Sequence, residues 1–90
     1  MKAAVQIAFL GGGNMARALI QGLLRQGYAA AQLRVGEPLA AQRLSLQREF
    51  GLLATADNAA AIAGATVVVL AVKPQQLSRV LSAARPALER

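Results

Sequence analysis

Leu10-Gly11-Gly12-Gly13-Asn14-Met15-Ala16 is the stretch whose reading decides the fold of this 90-residue chain. Ile7-Ala8-Phe9-Leu10 leads into it as a short apolar run suited to a buried parallel strand, and a helical pattern begins directly after the glycines. The spacing Gly11-x-Gly13-x-x-Ala16 is the G-x-G-x-x-A form of the dinucleotide-binding fingerprint. Each small residue has a physical task. Gly11 allows a sharp turn out of the strand, Gly13 has no Cβ to hold a pyrophosphate away from the backbone, and Ala16 lets the helix lie close on the sheet. Free N–H groups at the helix start then face the anion. Taken bare, the pattern also suits a mere tight turn. The strand before it and the helix after it favour phosphate binding.

Outward from the turn, the periodicity predicts a helix over residues 14–26, with Met15, Leu19 and Leu23 on one side and Ile20 and Leu24 beside them. Arg17, Gln21 and Arg25 fall on the opposite, solvated face. Gly22 lowers helix propensity, which suggests close packing on the sheet, and Gly27 is placed to stop the helix. Leu33-Arg34-Val35 reads as a second strand ended by Gly36-Glu37-Pro38, with Pro38 in the first turn of a helix reaching about Phe50. Leu52-Leu53-Ala54 is a third short strand. Asp57 or Asn58 then caps an alanine-rich helix ending at Gly64. Residues 66–72 form the clearest strand, apolar on both faces as in a buried parallel sheet. Pro74 stops it, and a last helix covers residues 75–84.

This alternation predicts an α/β, Rossmann-like parallel sheet in the strand order 3-2-1-4, with right-handed crossovers and helices on both faces. A complete sheet of this kind continues with more strands. Residues 1–90 are therefore expected to be the N-terminal part of a dinucleotide-binding domain, truncated from a larger protein.

Composition narrows the function. A hydrophobic fraction of 56% is high, yet no uninterrupted apolar run is long enough to cross a bilayer, and the first residues form no signal peptide. The chain has no cysteine and no histidine, which removes thiol chemistry, an ordinary zinc site and the commonest general base. The cytoplasm is the default address. The net charge of +6 is scattered, without a basic run or interleaved aromatics, so neither nucleic acid nor membrane is an expected partner. The charge reads as solvated helix faces that also help attract a polyanionic cofactor.

Gly11-Gly12-Gly13-Asn14-Met15-Ala16, Asp57-Asn58 and Ala71-Val72-Lys73-Pro74-Gln75 together resemble the pyrroline-5-carboxylate reductase family, in its N-terminal cofactor domain and over essentially all of the chain. The resemblance implies NADPH- or NADH-dependent reduction of a cyclic imine, 1-pyrroline-5-carboxylate, to L-proline, the final step of proline biosynthesis. It also implies an all-helical C-terminal domain, outside these residues, that builds the dimer and most of the substrate pocket, and hence a homo-oligomeric parent. On the same resemblance Leu10, Gly11, Gly12, Gly13, Asn14 and Met15 would hold the pyrophosphate. Glu37 and Asn58 would face the adenosine side, and Ala71, Val72, Lys73 and Pro74 would lie against the nicotinamide half. It assigns no catalytic residue and no metal ligand to this half.

The residues carry these roles on their own terms, each beside a plainer one. Glu37 stands ~20 residues past the fingerprint, where a carboxylate can accept from the ribose hydroxyls; otherwise it is a solvated loop acid. A carboxylate there repels the extra phosphate of NADPH, so NADH should serve at least comparably and Glu37→Ser should improve NADPH binding. Arg43 could compensate, but reads first as an exposed helix charge. Asn58 caps its helix whatever else it does. Lys73 lies at the carboxyl edge, where open α/β sheets bind ligands, or is a strand-end lysine kept in water. Met15 is both core and cofactor floor, and Leu19 and Leu23 are core only. Competing functions are a deazaflavin-dependent NADP reductase or hydroxyacid dehydrogenase, and a non-catalytic NAD-sensing module. Val72-Lys73-Pro74-Gln75 favours the imine reductase. Alone, the ninety residues are expected to lack reductase activity. They are also expected to self-associate through the apolar edge of the fourth strand or adjoining helix faces.

Overall fold

Strand β1 (Ile7–Leu10) is buried along its whole length, because it lies between two parallel neighbours with helices above and below. The computed structural model describes residues 5–89. After β1 come α1 (Asn14–Arg25), a 3-10 turn (Ala30–Gln32), β2 (Leu33–Gly36), α2 (Ala40–Phe50) and β3 (Leu53–Thr55). They are followed by α3 (Asn58–Ile62), β4 (Val67–Leu70) and α4 (Pro74–Leu88). The sheet order is β3-β2-β1-β4, all parallel, with Phe9 level with Val35 on one side and Val69 on the other. This is the expected order 3-2-1-4.

Period-2 alternation divides the strand side chains between two cores. Ile7, Phe9, Leu33 and Val35 pack with Ala16 and Ile20 of α1 and Leu46 of α2. Leu10 packs on the other face with Ala61 and Ile62 of α3 and Ala84 of α4. Full burial of a Phe9- or Ile20-sized side chain contributes about 1.5–3 kcal/mol. The first core, with five large fully buried residues, therefore anchors the glycine turn from beneath.

Helix α1 is rotated from the expected face. Met15 and Leu19 are 53% and 44% exposed, and the buried stripe is Ala16 and Ile20, with Leu23 and Leu24 packed beside them. A helix leaving so tight a turn starts almost on the sheet, and the smallest side chain takes the closest approach. Gly22 has nothing within 4 Å of where a Cβ would stand, so close packing does not explain it. Arg17 is not on a solvated face: it pairs with Glu49 and donates to Ser45 at 2.6 Å, clipping α1 to α2.

Four boundaries also differ. Pro38 precedes α2 by two residues, and Leu39 is the N-cap. Strand β3 ends on Thr55, whose carbonyl takes the Glu37 N–H at 2.8 Å. Strand β4 is four residues long, and Val67 is 45% exposed because β4 is an edge of this sheet. Helix α4 starts on Pro74 and continues through Pro86, which gives up a single amide near its last turn. Asp57, not Asn58, caps α3, its Oδ1 accepting from the Ala59 N–H at 2.9 Å. Asp57→Ala should therefore destabilise the fold by about 1 kcal/mol in urea unfolding, and Asn58→Ala should not act through the cap.

Candidate functional site

Where β1 runs out, the chain must pass between the ends of β2 and β4, and glycine is what fits. Gly11 has φ +106°, a conformation side chains rarely adopt, and a Cβ there would collide with the carbonyl oxygen of Ala71. Its N–H donates to the Gly36 carbonyl at 2.8 Å, while the Ala71 N–H donates to the Leu10 carbonyl at 2.9 Å. The turn is thus stitched to both neighbouring strands. Gly12 is buried, and a Cβ on it would stand 2.7 Å from Leu46 Cδ1 and 3.2 Å from Glu37 Oε1.

Gly13 differs from both. No atom lies within 4 Å of its would-be Cβ. As N-cap of α1 it offers no side-chain acceptor, so the first-turn amides of the helix open toward solvent or a ligand. An uncapped helix start of this kind can receive an anion.

Glu37 is only 7% exposed, so it is no solvated loop acid. Its Oε1 accepts from the Gly12 N–H at 2.8 Å and its Oε2 from the Leu39 N–H at 3.0 Å. Arg43 is likewise not a free helix charge: its Nη1 donates to the carbonyls of Glu37 and Pro38, each at 2.8 Å. Asn58 lies across the end of β2, where its Oδ1 would strike any Cβ at residue 36. A side chain at residue 36 would therefore have to displace the Asn58 amide, a constraint that reads in the sequence only as a strand end.

These groups surround a cleft of ≈ 630 Å³ at the carboxyl edge of the sheet. Among the residues expected from the sequence, Leu10, Gly11, Gly12, Gly13, Glu37, Asn58, Ala71, Val72 and Lys73 line it. Asn14, Met15 and Pro74 do not: Met15 points outward and Pro74 begins α4. Sequence reasoning missed Gln42 on α2 and Gln76, Arg79 and Val80 on α4. The α4 residues follow Lys73 at near-helical spacing, and that pattern was the available signal. Among the described residues Glu37 is the one carboxylate lining the cleft, and both its oxygens hold backbone amides. Lys73 and Arg79 form no ion pair among the described residues. With Lys73 and Arg79 against the single negative charge of Glu37, the cleft lining is net positive and suits a polyanion. Among the described residues no three potential metal ligands come together, and no helix is long and apolar enough to cross a membrane.

Comparison with known proteins gives a consistent set. The chain is 50% identical over 84 residues to a pyrroline-5-carboxylate reductase of Pseudomonas aeruginosa, covering 93% of this chain and 31% of that protein. It is 47% identical over 75 residues to one from Vibrio alginolyticus, covering 83% of this chain and 28% of that protein. The solved structure of a pyrroline-5-carboxylate reductase from Coxiella burnetii superposes with a TM-score of 0.91 at 34% identity, over 97% of this chain and 32% of that one. The chain thus spans about a third of the length of these relatives. A family model described as NADP oxidoreductase coenzyme F420-dependent matches residues 6–90. With that match running over nearly all of its length, the chain belongs to that family of NADP oxidoreductases.

Proposed function

We propose that the cleft binds the dinucleotide of NADPH or NADH, and that the complete protein reduces 1-pyrroline-5-carboxylate to L-proline. Gly13 is the observation that supports the binding most directly. It is the N-cap of α1 with no side-chain acceptor for the first amides of the helix, and the space beside its Cα is free of other protein atoms, which leaves room for a pyrophosphate. Leu10, Gly11, Gly12 and Gly13 would form the floor beneath the pyrophosphate, with the amides of Asn14 and Met15 at the helix start. Glu37 and Asn58 would take the adenosine side, and Ala71, Val72 and Lys73 the nicotinamide side, with Pro74 behind them at the start of α4. The substrate and the reaction come from the relatives' shared name, carried on 37–50% identity.

The cofactor supplies the hydride when bound, and this chain's part is to hold and orient it. In this reading residues 1–90 are the N-terminal dinucleotide-binding domain. A further, all-helical domain contributes the imine pocket and the subunit contacts of a homo-oligomer, and the protein works in the cytoplasm.

Loss of NAD(P)H absorbance on adding pyrroline-5-carboxylate to the complete protein, with proline as product, is the expected result. The family description names coenzyme F420, so reduced F420 with NADP is the control reaction. Turnover there and none with the imine would replace this proposal. NADH fluorescence titrated against the 90-residue chain should show binding without imine reduction.

A further inference from the structure

We infer that Glu37 is a positioning residue for the glycine turn, and that its contribution to dinucleotide binding comes chiefly through Gly12 rather than from its charge at the ribose. The inference rests on the dinucleotide reading of the cleft. Each carboxylate oxygen is already spoken for. Oε1 holds the amide of Gly12 at 2.8 Å in a buried contact, and Oε2 holds the amide of Leu39 at 3.0 Å, just ahead of α2. One side chain therefore ties the anion-binding turn to the loop that follows β2.

The tie is rigid at both ends. The Glu37 N–H donates to the Thr55 carbonyl at 2.8 Å, and Arg43 grips the Glu37 carbonyl from the other side at 2.8 Å. Gly12 has no slack either, since even a Cβ would press on Leu46 and on Glu37 itself. A charge-assisted bond in a dry setting is among the stronger hydrogen bonds a backbone amide can make. It occupies the Gly12 N–H. The amides of Gly13 and the first turn of α1 are then left as the donors a pyrophosphate meets.

A ribose reader and a turn brace respond differently to two conservative changes. Glu37→Asp keeps the charge but shortens the reach by about 1.5 Å, too much to span Gly12 and Leu39 together. Glu37→Gln removes the charge but keeps the length and one oxygen acceptor for Gly12. The brace predicts that Gln binds NADH within about threefold of wild type, while Asp is weaker by about tenfold or more. A ribose reader predicts the reverse ranking, because aspartate serves equally well at that position in dinucleotide sites. ADP-ribose, which shares the pyrophosphate, should follow NADH in both variants.

Amide hydrogen exchange at Gly12, measured by NMR without cofactor, reads the brace independently. Protection is expected in wild type and Glu37→Gln, and its loss in Glu37→Asp. Reverse ranking of the two variants, or affinities for both equal to wild type, would overturn the inference. If Glu37→Asp does not fold, a tenfold loss in the Gln variant overturns it and retention supports it. A wild-type chain that binds neither NADH nor ADP-ribose would remove the dinucleotide reading instead. Exchange alone then decides the brace, and an unprotected Gly12 would sink it.

Discussion

Gly11→Ala is expected to destabilise the fold by about 3 kcal/mol or more. Two penalties coincide there. Alanine at φ +106° is strained wherever it stands, and the new Cβ would enter the carbonyl of Ala71. Backbone is the worst neighbour to collide with. Ala71 cannot retreat, because its own N–H is bonded to the Leu10 carbonyl at 2.9 Å, which joins β4 to β1. Relief would have to unzip the end of the sheet. Urea unfolding with unchanged slope and a much lower midpoint would be the signature. A variant as stable as wild type would mean that Gly11 does not adopt this conformation in solution.

Gly13→Val should do the opposite: leave stability within about 1 kcal/mol and lower NADH and NADPH affinity by about a hundredfold or more. The backbone at Gly13 has φ −81° and ψ −159°, open to any residue, and its Cβ position has no protein neighbour within 4 Å. Two methyl groups would therefore occupy only the space a pyrophosphate needs, and they would also cover the uncapped amides of α1. Calorimetric titration beside a thermal melt separates the two effects. Unchanged affinity would leave the turn a purely structural device. On the dinucleotide reading, two glycines two residues apart would carry different burdens, one conformational and one steric toward a ligand.

The wild-type cofactor ratio tests a related point. Glu37→Ser was expected from the sequence to help NADPH by removing a repelling charge. A serine cannot reach the amides that Glu37 holds, so relief of repulsion and loss of the brace now oppose each other. Weaker binding of NADH and NADPH alike is the expected outcome of competitive titration. A selective gain for NADPH would point back to the charge.

What could be read before any coordinates follows from local physics. The fingerprint needs its strand before it and its helix after it, and the alternation of apolar runs with helical stretches permits few topologies. Hence the order 3-2-1-4 and the cleft lining at residues 10–13 and 37 were legible, while residues 58 and 71–73 came with the family resemblance. The sharp turn at Gly11 was read from the same spacing, and the structure gives it φ +106°.

Tertiary structure decided the rest, and in each case a contact between distant segments was responsible. Hydrophobicity alone cannot tell which of two adjoining stripes of α1 meets the sheet. Close approach chose Ala16 and Ile20 and left Met15 and Leu19 outside. Charge alone cannot tell a solvated arginine from a bonded one; Arg17 found Glu49 and Ser45, and Arg43 found two carbonyls. Glu37 shows the difference most plainly. Its spacing from the glycines was readable as a place beside the adenosine. That its two oxygens hold Gly12 and Leu39 depends on β1 and β2 lying side by side, which brings residues 25 apart in sequence to within 2.8 Å.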